Sequence, residues 1–128
     1  MKYLIFVTGP PYGSQNAISA LLFVKSVFLM NHSVKKIFFY SSGVYNASSM
    51  LSPPESEWNI LLEWGKLKKK YDLQLCVCPS SSYRRGIVSD KIAIQFGYFK
   101  GCFSSYFQWM SLSELAYSIN NYDRIIQF

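Results

Sequence analysis

Histidine and acidic residues are scarce in this sequence. Its 128 residues include one histidine, His32, and 7 aspartates and glutamates together. So few groups argue against a Ser-His-Asp or Cys-His-Asn catalytic site and against a pair of catalytic carboxylates. No Cys-x-x-Cys pair occurs either, and with a lone histidine this absence argues against a structural zinc site.

Long hydrophobic runs are missing as well. The longest apolar stretch, Ala17–Met30, is interrupted by Lys25 and is too short to cross a bilayer. The apolar run Met1–Val7 is too short for a secretory signal peptide. An odd number of cysteines, 3, without an export signal indicates reduced thiols. We therefore expect a cytoplasmic protein without membrane association.

Basic and aromatic residues, by contrast, are abundant. The net charge is +6, and Lys66, Lys68, Lys69 and Lys70 lie near the end of a predicted helix, where cations complement the helix dipole. No RNA-reading motif accompanies them, so contact with nucleic acid is left open but has no support in the sequence. The 10 tyrosines, 10 phenylalanines and 3 tryptophans indicate a partner interface, a tightly packed core or codon bias in an AT-rich genome.

Apolar periodicity predicts alternating strands and helices. Strands are predicted over residues 3–8, 36–40, 73–78 and 123–128, and helices over 17–28, 55–71, 88–97 and 111–120. Residues 98–110 fit neither period, although their aromatic residues could supply a short strand. Strands that alternate with helices form right-handed βαβ units. The sequence therefore predicts one α/β domain, residues 1–128, with an open, mainly parallel sheet, helices on both faces and a flavodoxin-like topology.

Three serines are predicted to cap helices. Ser14 precedes the first helix and Ser56 precedes the second. Ser111, with Glu114 three residues later, predicts a capping box at the last helix. In the second helix, Trp58, Leu61, Leu62, Trp64 and Leu67 are predicted to form an apolar stripe.

The turn Thr8–Asn16 follows the first strand and precedes a helix, which is where phosphate-binding loops lie. It lacks both the Gly-Lys-Ser/Thr of a P-loop and the spacing Gly-x-Gly-x-x-Gly. Its prolines also remove amide donors that a phosphate would need. We interpret the turn as structural and keep a flavodoxin-like nucleotide or flavin binder as an alternative.

Cys78 is the strongest candidate for a reactive residue. It ends the predicted strand 73–78 and is followed by Pro79 and a polar, basic loop that contains Arg84 and Arg85. In parallel α/β sheets, reaction sites lie outside the carboxyl ends of the strands. Helix N-terminal amides and guanidinium groups beside such a thiol favour the reactive thiolate. The alternative is a small buried thiol, the commonest fate of a free cysteine.

The other two cysteines are weaker candidates for the reactive residue. Cys76 lies two residues before Cys78, so the two share a face of the strand, and Cys76 is interpreted as a core residue. Cys102 lies in the segment without an assignment and has no predicted role. Arg84 and Arg85 either stabilise a thiolate, dock an acidic partner or are ordinary solvated loop charges.

Several segments along the whole chain, kept in order and spacing, resemble one family. These segments are Val7-Thr8-Gly9-Pro10, Tyr12-Gly13, Phe38-Phe39-Tyr40, Gly43-Val44-Tyr45-Asn46-Ala47, Cys78 with Tyr83-Arg84-Arg85-Gly86-Ile87-Val88, and Asp123-Arg124-Ile125-Ile126-Gln127-Phe128. On them, the chain resembles the DsrE-like family of small sulfur-relay subunits.

The resemblance implies a cytoplasmic sulfurtransferase that acts in 2-thiolation of tRNA wobble uridine. It implies that Cys78 accepts sulfur as a persulfide from an upstream carrier protein and passes it to a downstream carrier. It further implies a heterohexamer, a dimer of heterotrimers, with two homologous subunits. No direct contact with tRNA and no metal or organic cofactor are expected. A non-catalytic scaffold subunit of the same assembly remains an alternative.

Overall fold

Five parallel strands form one sheet in the computed structural model, which describes residues 1–128. The strands are β1 (Lys2–Val7), β2 (Ser33–Phe39), β3 (Gln74–Val77), β4 (Phe107–Trp109) and β5 (Arg124–Gln127). They lie in the order β4-β3-β2-β1-β5, and every neighbouring pair is parallel. The open, parallel α/β sheet predicted from the apolar periodicity is confirmed.

Five α-helices and two short 3-10 helices connect the strands. The α-helices are α1 (Asn16–Leu29), α2 (Ile60–Tyr71), α3 (Pro79–Tyr83), α4 (Asp90–Gln95) and α5 (Leu112–Ser118). The 3-10 helices are Ser41–Ala47 and Ile119–Asn121. None of the helices combines the length and the apolar character that a membrane span requires.

The direction in which the chain moves across the sheet decides which face each helix covers. From β1 to β4 the strands are added in one direction, so right-handed crossovers place these connections on one face, here called the first face. The last connection returns from β4 to β5, beside β1, and therefore crosses the second face. Residues of α1 and α2 accordingly share the larger core on the first face, whereas Leu115 of α5 packs on the second.

Helices thus cover both faces of the sheet, as predicted, but one detail of the predicted topology is corrected. Flavodoxin has the strand order 2-1-3-4-5, with its first strand between the second and the third. Here β1 lies between β2 and β5, because the carboxyl-terminal strand returns to pair with β1. The first four strands consequently lie side by side in the sheet in the same order as they occur along the chain.

The central strands are apolar on both sides because helices cover both faces. In β1, Leu4 lies in the second-face core, whereas Ile5 and Val7 lie in the first-face core, and all three are fully buried. In β2, Phe38 lies in the second-face core and Phe39 lies in the first-face core. Short runs of apolar residues were therefore the correct signal for these strands.

Helix α2 begins later than the sequence predicted. Asn59 rather than Ser56 is its N-cap, and the Asn59 side chain accepts a hydrogen bond from the Leu62 N–H at 3.3 Å. The residues before it form a turn held against the loop after β1, where the Tyr12 hydroxyl donates to the Trp58 carbonyl at 2.7 Å. Trp58 and Leu62, both predicted to lie in the apolar stripe, are each 47% exposed.

The other two caps have different outcomes. Ser111 and Glu114 form the predicted capping box. At α1 the N-cap position belongs to Gln15, whose side chain forms no capping bond. Ser14 lies one residue earlier because the chain is still turning there, after Gly13 with φ of 90°. Its hydroxyl accepts a hydrogen bond from the Asn16 N–H at 3.4 Å.

The segment 98–110, which fitted neither period, contains the edge strand β4. This strand has only three residues, too few to produce a periodic signal. Phe107 is buried in the first-face core, and Trp109 stacks on Phe103 with ring centroids 3.9 Å apart. The helix predicted over 88–97 is confirmed as the shorter α4, capped by Ser89.

Asn46 ties three segments together at the carboxyl end of the sheet. Its fully buried amide group donates to the carbonyl oxygens of Gly9 at 3.1 Å and Gly43 at 2.8 Å. Its side-chain oxygen accepts from the Trp64 indole at 3.1 Å. Since each buried polar atom has a partner, the group holds the turn after β1, the first 3-10 helix and α2 together without an unpaired donor.

Gly43 is packed against the backbone of β1, where an added Cβ would lie 2.0 Å from the Val7 carbonyl oxygen. We expect Gly43→Ala to lower the free energy of unfolding, measured by urea denaturation, by about 2 kcal/mol because backbone must move. Gly65→Ala is the control, since its Cβ would meet only the Tyr106 ring, at 2.7 Å, and a ring can rotate away. An equal or smaller loss for Gly43→Ala would contradict this account of the packing.

Candidate functional site

The connections after β3 and β4 leave the sheet on opposite faces. After β3 the chain enters α3 and α4, and Ile87 and Cys102 of this connection join the first-face core. After β4 the chain enters α5 on the second face. Neighbouring parallel strands whose connections diverge in this way leave a crevice at their carboxyl ends, where α/β proteins bind ligands. Cys78 lies directly after β3, at the position where such a crevice is expected, although it lines none of the cavities in this structure.

The backbone around Cys78 is fixed from both sides. Its N–H donates to the Phe39 carbonyl at 3.1 Å, which continues the hydrogen bonding between β2 and β3 by one residue. Its carbonyl accepts from the Ser82 N–H at 3.1 Å in the first turn of α3. The thiol itself forms no capping bond to α3, a helix of only five residues that begins with Pro79, which has no N–H. The helix amides that we expected to face the thiol therefore do not bind it.

The side chain of Cys78 is covered. It is 3% exposed and belongs to the second-face core with Leu4, Phe38, Cys76 and Leu115. The small size and apolar contacts of a thiol explain why it is accepted there. In this conformation the sulfur is shielded from any reagent or partner as large as a protein.

Arg84 and Arg85 follow α3 but differ in their surroundings. Arg84 is exposed, and its guanidinium makes no hydrogen bond or ion pair within the chain. Arg85 is half-buried, and its guanidinium donates to the Ser81 carbonyl at 3.0 Å and to the Ser41 hydroxyl at 3.4 Å. Neither guanidinium is hydrogen-bonded to Cys78.

Ser41 and Ser81 are site residues that the sequence did not reveal. Ser41 lies two residues beyond the carboxyl end of β2 and has a left-handed backbone, with φ of 53°. Its N–H donates to the Ser81 hydroxyl at 3.1 Å, across the gap between the loops after β2 and β3. The only available signal was their position at predicted strand ends, which small polar residues share with many loops.

A profile of the DsrE/DsrF-like family matches residues 1–128. The chain belongs to the DsrE/DsrF-like family. It is 44% identical over 128 residues to the sulfurtransferase TusD of Buchnera aphidicola subsp. Acyrthosiphon pisum (strain 5A), with 100% of both chains covered. It is 37% identical over 128 residues to the sulfurtransferase TusD homolog of Vibrio cholerae, covering 100% of this chain and 98% of the relative.

A solved structure supports the same fold. The crystal structure of the YchN protein from E. coli superposes with a TM-score of 0.76, covers 100% of both chains and is 21% identical in sequence. At that identity the likeness bears on the fold alone. The DsrE/DsrF-like family membership and the sulfurtransferase class that we predicted from the sequence are both confirmed.

Cys76 of this DsrE/DsrF-like chain is a core residue, as predicted. It is fully buried beside Phe38 and pairs with it in register across β2 and β3. Burial raises the pKa of the Cys76 thiol to about 11, since a charged thiolate is poorly solvated there, although Lys36 and Lys68 act in the opposite direction. At neutral pH this thiol is therefore protonated and not nucleophilic.

Cys102 lies on the wall of a cavity of about 600 Å³ beside the connection after β3. Its thiol is 9% exposed and donates to the Gly86 carbonyl at 3.4 Å. The wall is largely apolar and includes Tyr83, Val88, Phe96, Tyr98 and Lys100. Cys102 faces the first-face side of the connection, whereas Cys78 packs on the second face.

The turn after β1 is occupied by internal contacts. The Gly9 carbonyl accepts from Asn46, and the Tyr12 hydroxyl contacts both the Trp58 carbonyl and the Ile60 N–H. The Thr8 hydroxyl donates to the Phe128 carbonyl at 3.0 Å. These bonds give the turn a structural role, and no observation here favours the nucleotide-binding alternative.

Alkaline pH is expected to destabilise the fold through Cys76. Its folded pKa lies above that of an unfolded cysteine, about 8.5, so the unfolded chain loses its proton first. The contribution of Cys76 is complete below pH 8.5 and is lost progressively as the pH rises toward about 11. Urea denaturation at several pH values should show a smaller alkaline loss in Cys76→Ala than in the unmodified chain. Equal pH dependence in the two proteins would contradict this assignment.

Proposed function

We propose that this sulfurtransferase accepts sulfur on Cys78 as a persulfide and relays it between carrier proteins for 2-thiolation of tRNA wobble uridine. The observation that carries the proposal is the position of Cys78 at the carboxyl end of β3, beside β4, where the connections of the two strands diverge to opposite faces of the sheet. The tRNA destination and the carriers follow from the family resemblance.

The other thiols are less suited to this role. Cys76 lies one strand position inside the sheet and is protonated at neutral pH. Cys102 lies outside the crevice, and its thiol is hydrogen-bonded to the Gly86 carbonyl. Cys78 is the cysteine whose sulfur could reach a partner through movement of the short segment that follows β3.

The transfer step is a simple exchange between sulfur atoms. The Cys78 thiolate attacks the outer sulfur of a donor persulfide, a new sulfur–sulfur bond forms, and the donor's bond to that sulfur breaks. The donor cysteine leaves as a thiolate, so there is no net oxidation or reduction. Passing the sulfur on repeats the exchange, with the receiving carrier as nucleophile and Cys78 as leaving group. The proposed exchange involves only three sulfur atoms, those of the donor cysteine, the transferred sulfur and Cys78.

The proposal includes partners and a compartment. Exposed aromatic side chains, among them Phe96, Tyr98, Phe99 and Tyr117, support an interface with a partner protein. The two homologous subunits and the heterohexamer follow from the family resemblance. All three cysteines are free, which supports a reducing compartment, the cytoplasm.

Substitution of Cys78 tests the site. After incubation with a small persulfide donor, the unmodified chain should gain the mass of one sulfur atom, and digestion should locate that atom on Cys78. Cys78→Ser should gain none, because a hydroxyl is not a nucleophile for sulfur exchange at neutral pH. Cys102→Ser is the matched control and should accept sulfur normally. Uptake by Cys78→Ser together with failure of Cys102→Ser would overturn the assignment.

Arg84 is proposed to attract an acidic carrier protein. Arg84→Ala should slow sulfur transfer from the carrier and make it less salt-sensitive, because exposed charges are screened within ~10 Å at 0.1 M salt. Uptake from a small persulfide donor should not change. Arg124→Ala is the charge-matched control, since Arg124 lies at the amino end of β5, at the opposite edge of the sheet. Equal effects of the two substitutions on carrier transfer would refute a local docking role.

The burial of Cys78 favours one second candidate function. A thiol that is 3% exposed and remains so could not exchange sulfur, and the chain would then be a non-catalytic scaffold subunit. The two functions differ in a direct observable. The relay requires sulfur on Cys78 after exposure to the donor in the assembled complex, whereas the scaffold requires none.

A further inference from the structure

Sulfur exchange needs direct contact between two sulfur atoms, and a carrier protein cannot make that contact with a thiol that is 3% exposed. The Cys78 side chain packs against Leu4, Phe38 and Leu115, so the segment that carries Cys78 must move away from these residues for the proposed relay to work. This segment, residues 78–87, is here called the Cys78 turn. It contains α3, and its far end is closed by reciprocal bonds between Ser82 and Ile87.

Internal bonds make the Cys78 turn a compact unit. The Ile87 N–H donates to the Ser82 carbonyl at 3.0 Å, and the Ser82 hydroxyl donates to the Ile87 carbonyl. These bonds can persist while the amino-terminal part of the turn moves. The far end is anchored, because Ile87 packs in the first-face core and the Gly86 carbonyl accepts from the Cys102 thiol.

One polar cluster joins the Cys78 turn to the loop after β2. The Arg85 guanidinium donates to the Ser81 carbonyl and reaches across to the Ser41 hydroxyl. The Ser41 N–H donates in return to the Ser81 hydroxyl. Ser81 is buried, so the hydrogen bonds that it makes with Arg85 and with Ser41 are shielded from water.

Ser41 adopts an unfavourable backbone conformation to make these contacts. Its φ of 53° lies in the left-handed region, which costs free energy for a residue with a Cβ. Such a conformation persists where neighbouring contacts hold it. Loss of the bonds to Arg85 and Ser81 would let the Ser41 backbone relax. The free energy released in this way offsets part of the free energy needed to open the cluster.

We propose that Arg85 is a positioning residue that, with Ser41 and Ser81, forms a latch holding the Cys78 turn in place with the Cys78 side chain in the second-face core, and that release of this latch lets the turn carry Cys78 out of that core to its sulfur donor. The inference rests on the proposed function only in taking Cys78 as the exchanging thiol. The latch gives Arg85 a role other than stabilising the thiolate, because the guanidinium N–H groups of Arg85 donate to Ser81 and Ser41.

The chain provides a matched control for Arg85. Arg84 has the same charge and lies one residue away, but its guanidinium is exposed and makes no bond within the chain. Removal of either side chain changes the net charge equally. A difference between the two substitutions therefore measures the bonds of Arg85 rather than its charge.

The test is the rate of alkylation of each cysteine by iodoacetamide in the folded chain, followed by mass spectrometry of the digested peptides. Arg85→Ala should raise the Cys78 rate about tenfold, because two hydrogen bonds that oppose opening are removed. Arg84→Ala should leave it unchanged. Arg85→Lys keeps the charge but cannot hold both acceptors at once, so its Cys78 rate should also rise.

Cys76 is an internal control in every variant. It is fully buried in the core, so its alkylation reports global unfolding. The latch requires that the alkylation rate of Cys78 rises without an equal rise in the alkylation rate of Cys76. If Arg85→Ala is too unstable to measure, Ser81→Ala removes the acceptor of the Ser41 N–H and should raise the Cys78 rate as well, with the same control.

The pH profile separates a latch from an electrostatic role. The latch predicts that Arg85→Ala raises the Cys78 rate at every pH and leaves the midpoint of the profile in place. A slower rate with a midpoint moved upward would show that Arg85 stabilises the thiolate and would overturn the proposal. An unchanged rate, or an equal rise at Cys76, would overturn it too.

Failure of the latch and failure of the relay remain distinguishable. Alkylation reports exposure of Cys78 and requires no sulfur donor. A rise at Cys78 in Arg85→Ala, combined with no sulfur uptake on Cys78 in any variant, would support the latch and reject the relay. Normal sulfur uptake with an unchanged alkylation rate would reject the latch and support the relay.

Discussion

The parallel pairing of β2 and β3 is the constraint on which the site depends. Phe38 faces Cys76 in the register, and the Cys78 N–H extends the pairing to the Phe39 carbonyl at 3.1 Å. Because both strands run in the same direction, the residues that follow them emerge at the same edge of the sheet. Ser41 and the Cys78 turn meet there for this reason, although about 40 residues separate them in the chain. A shift of one residue in the register would turn Cys78 to the other face.

The same pairing creates a conflict between stability and reactivity. A thiol one residue beyond a buried strand joins the core readily, and Cys78 does so with Leu4 and Leu115. Burial protects a thiol from oxidation, but it also prevents exchange with a partner. A short helix tied down by a few polar contacts reconciles these demands, since it can open at a cost far below that of unfolding the sheet.

Family comparison separates what the fold explains from what the site explains. YchN keeps the backbone arrangement at 21% identity, with a TM-score of 0.76. Cores of this kind accept many apolar exchanges if volume and pattern are kept. The fold therefore says little about chemistry, and the sulfurtransferase class comes from relatives such as the TusD of Buchnera, at 44% identity. Within the chain, the proposed chemistry depends on Cys78 and the few side chains around it.

Local patterns determined the strand and helix order, the parallel sheet, the Ser111 capping box and the placement of Cys78 at a strand end. These features depend on residues close together in the chain, whose periodicity and capping chemistry are directly visible. The start of α2, the strand β4 and the burial of Cys78 depend on contacts between distant segments, such as Tyr12 with Trp58 and Cys78 with Leu115. Arg84 and Arg85 show the difference most clearly. They are neighbours of equal charge in the sequence, and only the meeting of two loops gives Arg85 partners in Ser81 and Ser41 while Arg84 remains in solvent.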